Sequence, residues 1–196
     1  MKHTPIKHTF SPAQSPFVQL LIIRNGNSFA ANAAAFIGGV ISLALLAQIS
    51  IPLSFTPVPI TGQTLGVALI SLLWGRKRGV AVVATYLTLG VLGAPLFALG
   101  KTGLSFGPTS GYLIGMLFAS FAMGTLADLG WTKSFGRTWL AAAVGSLITF
   151  TCGVAVLSLF VPQGTLLMTG VIPFIPGDFV KTMVACAIVR SLSRRS

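Results

Sequence analysis

Six apolar stretches, separated by short breaks that hold almost all of the charge, constrain this chain more than any other feature. A bilayer core of about 30 Å takes around 20 helical residues to cross, so a chain of 196 residues has room for six or seven spans in one domain. Only 8% of the residues are charged, against roughly 25% in soluble domains. The net charge of +11 would point to nucleic acid in a soluble protein. Here the bases sit at the ends of apolar runs, where they set topology and meet anionic lipid. The lipid bilayer is therefore an expected partner and nucleic acid is not.

Taken in order, the chain predicts a cytoplasmic tail over residues 1–28 and a single membrane domain over 29–196. The apolar run 17–23 is too short to span, and no small-residue cleavage pattern follows it promptly. Spans are expected at about 29–51, 60–74, 80–92, 111–127, 139–160 and 166–189. The predicted fold class is an all-α integral membrane protein, a bundle of six transmembrane helices. Under this arrangement Lys2, Lys7 and Arg24 fall in the tail, and Arg76, Lys77 and Arg78 in one inner loop. Lys133 and Arg137 fall in the other, with Arg190, Arg194 and Arg195 at the carboxyl end. Lys101 alone lies outside and Lys181 alone within a span. That asymmetry puts both termini in the cytoplasm.

Several chemistries are poorly served. His3 and His8 both lie in the tail, and Cys152 and Cys186 sit in apolar runs without zinc-ligand spacing. Gly100-Lys101-Thr102 resembles the end of a phosphate-binding loop, but Pro95 stands where the leading glycine is required and no strand precedes it. No catalytic residue, metal ligand or cofactor site is assigned. An enzyme is the reading from another class, and Asp128 and Asp178, expected at opposite membrane sides, give it little equipment.

Polar and irregular pieces converge instead on the outer end. Pro52, Pro57 and Pro59 forbid a continuous helix and favour extended chain; Gln63 and Thr64 follow at once. A second irregular stretch, residues 93–112, ends in Gly107-Pro108-Thr109-Ser110-Gly111-Tyr112, a helix start that Thr109 or Ser110 can cap. Beyond it, Gly111/Gly115 and Ser120/Gly124 permit close helix approach. The last apolar run holds Asp178 and Lys181, three residues apart and hence on one helical face. Ionisable groups at membrane depth are costly and functional by default; the structural alternative is a mutually satisfied ion pair fixing a helix start. Phe55, Phe97, Phe106, Tyr112 and Phe174 are candidate apolar walls. Gln63, Thr64, Thr109, Asp178 and Lys181 are candidate hydrogen-bonding groups. This mixture suits a small, partly apolar solute.

At these motifs the sequence resembles the BioY family of biotin-binding membrane subunits, the S components of energy-coupling factor transporters. The resemblance rests on Gln48 to Leu53, Phe55 to Thr64, Gly90 to Phe97, Gly107 to Tyr112, and Pro173 to Asp178 with Lys181. It implies an S-component-like bundle in the plasma membrane, binding biotin from outside beneath its first and third loops. The family's polar pair maps onto Asp178 and Lys181, and its Gln-Thr pair onto Gln63 and Thr64. It also implies a transmembrane coupling subunit and ATPase subunits as partners, docked on the first helix near Ala31/Ala35 or Gly38/Ser42. Aligning from Gln48 puts Val40 and Ala44 at that place. A stand-alone biotin carrier and a subunit for another small vitamin remain alternatives.

Overall fold

In a computed structural model of the protein, residues 29–103 and 106–193 are described. The expected cytoplasmic tail over 1–28 and the basic Arg194 and Arg195 lie outside them. The described chain is built on five long helices: α1 (Phe29–Gln48), α2 (Gln63–Val91), α3 (Ser110–Asp128), α4 (Phe135–Leu157) and α6 (Ile175–Ser193). A short α5 (Leu166–Gly170) precedes the last. Four helical segments, Phe29–Gln48, Ser110–Asp128, Phe135–Leu157 and Gln163–Ser193, are long and apolar enough to cross a membrane. Large apolar side chains such as Ile37, Ile41, Leu45, Phe118, Phe121 and Leu147 face outward. In water such a surface would be an aggregation liability; against lipid it is the surface a spanning helix requires.

By geometry, α2 is two elements. Gly75 has φ 74° and ψ −177°, outside the helical region, and the chain reverses there. Gln63 hydrogen-bonds Tyr86, 23 residues further on, a separation that a straight helix would stretch to about 35 Å. The two arms of this hairpin cover the residues where the second and third spans were expected. The expected inner loop at 75–79 contracts to Gly75 alone, leaving Arg76, Lys77 and Arg78 in the first turn of the second arm. Bases at a helix amino-terminus oppose its dipole. Asp128, at the end of α3, offsets them: its Oδ2 accepts the Arg76 backbone N–H at 3.1 Å. Gly75 is required twice over, since its positive φ disfavours L residues and a Cβ there would run into the Asp128 carboxylate.

The ends of the helices differ from expectation in three places. α1 stops at Gln48, and α2 starts at Gln63 rather than near residue 60. Between them the prolines block helix, and the flanks pair as a two-residue antiparallel ladder, β1 (Ser50–Ile51) with β2 (Ile60–Thr61), Ser50 opposite Thr61. The class is all-α apart from this clasp. α4 starts at Phe135, four residues before expectation, so Arg137 is helical rather than in a loop.

Small residues set the contacts between helices. Gly111 and Gly115 of α3 lie against Cys152 and Thr149 of α4, and Gly124 lies against the backbone of Gly75 and Arg76. The hydroxyl of Ser71 donates to that of Ser120 at 2.8 Å. Fully buried Leu43, Leu72, Val82, Ala119, Ala141, Ala185 and Val189 form part of the main core, which draws on α1, α2, α3, α4 and α6. A smaller cluster of Val58, Tyr112, Leu157 and Phe174 packs beneath the loops. Cys186 is buried, Cys152 half-buried, and neither is bonded to the other.

Candidate functional site

A cavity of about 310 Å³ opens where the loop 58–61, the first turns of α2 and α3, the middle of α4 and the start of α6 meet. Its polar groups are fixed from the last helix. α6 turns Asp178, Lys181, Thr182, Ala185 and Val189 toward the bundle and Phe179 and Val180 outward, the helical periodicity of a one-sided face. Lys181 Nζ donates to Thr64 Oγ1 at 2.7 Å and to the Thr61 carbonyl at 3.1 Å. Asp178 Oδ1 accepts the Ser146 hydroxyl at 3.0 Å. Among the described residues the two charged groups form no ion pair with each other; each is held by a different neighbour. The mutually satisfied pair is therefore not what the structure contains.

The unused capacity of these groups matters more than their bonds. An ammonium has three donors and an ionised carboxylate about four lone-pair sites. Lys181 thus keeps one N–H, and Asp178 a whole oxygen, uncommitted to described protein atoms. Both are half-buried on the cavity wall, where polar groups without partners are costly. The arrangement is ready to accept from, and donate to, a compact polar group.

Of the expected site residues, the structure brings together Asp178, Lys181, Gln63, Thr64, Phe97, Thr109 and Tyr112, with Phe106 and Phe174 beside them. Phe55 is a correction. It is 59% exposed and does not line the cavity, because the loop turns its neighbours inward instead: Thr56 donates to the Thr169 carbonyl at 2.7 Å and Val58 is buried. The expected cap at Thr109 is also absent. Its backbone is in the right-handed helical region and its side chain makes no capping bond, whereas a cap needs an extended residue. Ser110 donates backward to the Gly107 carbonyl at 2.6 Å.

Two contributors escaped the sequence reading. Ser146 lies inside an apolar run; its one signal is that Thr149 follows at i+3, giving a polar edge to one face of α4. Lys101, expected only to lie outside the membrane, lines the cavity from an exposed position in the loop. Gln63 is buried and partly committed: its Nε2 donates to the Tyr86 hydroxyl at 2.5 Å and its Oε1 accepts from Thr61, leaving one amide N–H uncommitted to described protein atoms. Tyr112 likewise spends its hydroxyl on the Gly170 carbonyl at 2.7 Å and offers its ring to the cavity.

Apolar helices of membrane length enclosing a cavity with one fixed ammonium and one fixed carboxylate define a helical membrane protein with a small-solute site. The chain belongs to the BioY family, whose model matches residues 18–196. It is 39% identical over 152 residues to the biotin transporter BioY of Thermotoga maritima, covering 76% of this chain and 87% of that one. It is 35% identical over 172 residues to the biotin transporter BioY of Rhizobium etli, covering 81% and 89%. Its fold is similar to the 2.1 Å crystal structure of the S-component for biotin from an ECF-type ABC transporter. That match has a TM-score of 0.79 and 29% identity, covering 88% of this chain and 95% of that one.

Proposed function

We propose that this chain binds biotin in the 310 Å³ cavity and serves as the substrate-binding S component of an energy-coupling factor transporter in the plasma membrane. The observation that carries the reading is the pair of uncommitted polar valences on Asp178 and Lys181, within a mostly apolar cavity of the size small solutes occupy. In this reading the Asp178 carboxylate accepts the ureido N–H groups, and Lys181 donates to the ureido carbonyl or the carboxylate. Phe97, Phe106, Tyr112 and Phe174 pack on the apolar part of the ligand, with Thr64 and Thr109 at its polar edge. Counting the two arms of α2 separately gives six spans, with both termini cytoplasmic. The work of transport falls to a transmembrane coupling subunit and ATPase subunits docked on α1, where nothing covers Gly38 and Ser42 is exposed.

The test is native mass spectrometry of the detergent-purified protein, followed by titration with biotin and competition by other vitamins. A biotin mass adduct and sub-micromolar binding are expected; preferential binding of another vitamin overturns the substrate assignment. Biotin uptake that persists in cells lacking the coupling and ATPase subunits overturns the S-component role in favour of a stand-alone carrier.

A further inference from the structure

The loop from Ala94 to Gly103 supplies Phe97, Ala98, Lys101, Thr102 and Gly103 to the cavity wall, so what holds this loop holds one side of the site. Its two ends are tied to the carboxyl end of α2, through Ala94 N–H to the Leu89 carbonyl at 3.0 Å and Gly103 N–H to the Gly90 carbonyl at 2.8 Å. Its middle is held from α2 by the Tyr86 hydroxyl, which donates to the Leu96 carbonyl at 3.0 Å, and from a different helix as well. Gln48, the last residue of α1, donates from Nε2 to the carbonyls of Phe97 at 3.1 Å and Leu96 at 3.3 Å. Its Oε1 accepts the Gly100 N–H at 3.2 Å. One side-chain amide thus plays the part of a neighbouring strand for the Phe97 carbonyl and the Gly100 N–H, and shares the Leu96 carbonyl with the Tyr86 hydroxyl. Between the bonded positions lies Leu99, at φ 62° and the one described non-glycine residue with positive φ. A leucine disfavours that conformation, and such residues persist where their surroundings over-determine them. Gln48 bonds the backbone on both sides of it.

Gln48 itself does not line the cavity; it lines a separate open groove between α1 and the second arm of α2. Any influence on a ligand must therefore pass through the loop. We infer that Gln48 is a positioning residue that latches the 94–103 loop against the cavity and sets how long a ligand stays. The inference rests on the proposed function for the identity of the ligand but not for the latch.

Full-length protein in detergent carries the test, as wild type, Gln48→Leu and Gln48→Glu. Leucine removes all three bonds at similar size, and glutamate keeps the acceptor for Gly100 while removing both donors. Two quantities are read: deuterium exchange over 94–103 without ligand, and the dissociation rate of radiolabelled biotin. For Gln48→Leu, exchange is expected to rise severalfold in this loop and not in α3 or α4. Biotin is expected to leave roughly tenfold faster, as loss of about one net hydrogen bond dictates, with association changed less than twofold. Glutamate, whose second oxygen would face the Leu96 and Phe97 carbonyls, should loosen the loop and speed dissociation at least as much as leucine, and it carries both readouts if the leucine variant does not fold. Unchanged loop exchange overturns the latch; faster exchange with unchanged dissociation overturns its role in retention. Wild type that fails to bind biotin overturns the proposed function instead, and exchange then decides the latch alone.

Discussion

Replacing Asp178 with alanine separates a ligand-binding carboxylate from a structural one. In the folded protein the carboxylate has one described hydrogen-bond partner, the Ser146 hydroxyl at 3.0 Å, so alanine strands a single hydroxyl. Ser146 lies on the wall of the cavity, where water can serve it, and the cost to stability should be about 1 kcal/mol. The cost to binding should be larger. Two ureido N–H groups donating to an ionised acceptor contribute about 1.5–3 kcal/mol each. Their joint loss predicts a rise in Kd on the order of 100-fold to 10,000-fold. Isothermal titration of purified protein with biotin measures the affinity, and the ligand-free melting temperature measures stability. The expected result is a large loss of affinity with a melting temperature lowered by only a few degrees. Near-normal affinity in Asp178→Ala would refute the assignment, and so would a collapse of the ligand-free protein, which would return Asp178 to a structural role.

Lys181→Met keeps the length of the side chain but deletes the donors to Thr64 and the Thr61 carbonyl; biotin affinity should fall about 100-fold or more, with near-wild-type binding as the contrary result in the same titration. Phe55→Ala should leave biotin affinity within about twofold, since the ring is 59% exposed and outside the cavity; a tenfold loss would mean that the loop closes further than described. Asp128→Ala removes the acceptor from the Arg76 N–H and should cost about 1 kcal/mol, read as a lower melting temperature with unchanged biotin affinity. Gly75→Ala should be far worse, because positive φ and collision with Asp128 act together; a well-folded Gly75→Ala protein would show that the chain can reverse there by another route.

The sequence made the helices legible because lipid imposes a simple rule: apolar where it spans, basic where it stops. It also made the cavity's location legible. Proline and glycine mark the irregular backbone, and Asp178 with Lys181 marks the helix opposite it. Three things were hidden, for physical reasons. The reversal at Gly75 takes one residue where a connecting loop was expected, because a tertiary carboxylate from α3 serves the new amino-terminus; nothing local to residues 75–79 announces it. Ser146 was silent because a serine in a membrane helix is most often bonded to its own preceding turn, and only contact with Asp178 gives it another use. Phe55 misled because an aromatic beside prolines has no fixed inward direction in extended chain. The bond from Thr56 to Thr169 decides it, across 113 residues of sequence.

Asp178 and Lys181 do not make the site by themselves, because the bonds that fix one side of the cavity are continuous with those that fix the other. Lys181 holds the carbonyl of Thr61, and the hydroxyl of Thr61 donates to Gln63. Gln63 donates to the fully buried Tyr86, and Tyr86 donates to the Leu96 carbonyl at 3.0 Å. That is the same carbonyl to which Gln48 donates from α1. The Gln63–Tyr86 bond is buried, so removing either side chain leaves its partner short of a bond at about 1–3 kcal/mol, whereas the Leu96 carbonyl keeps one donor when either Tyr86 or Gln48 is lost. Gln63 is accordingly committed as a spacer between the charged floor and the loop. It holds two walls of the cavity at a fixed separation, and because one of its amide N–H groups stays uncommitted to described protein atoms it keeps a donor on the cavity it lines.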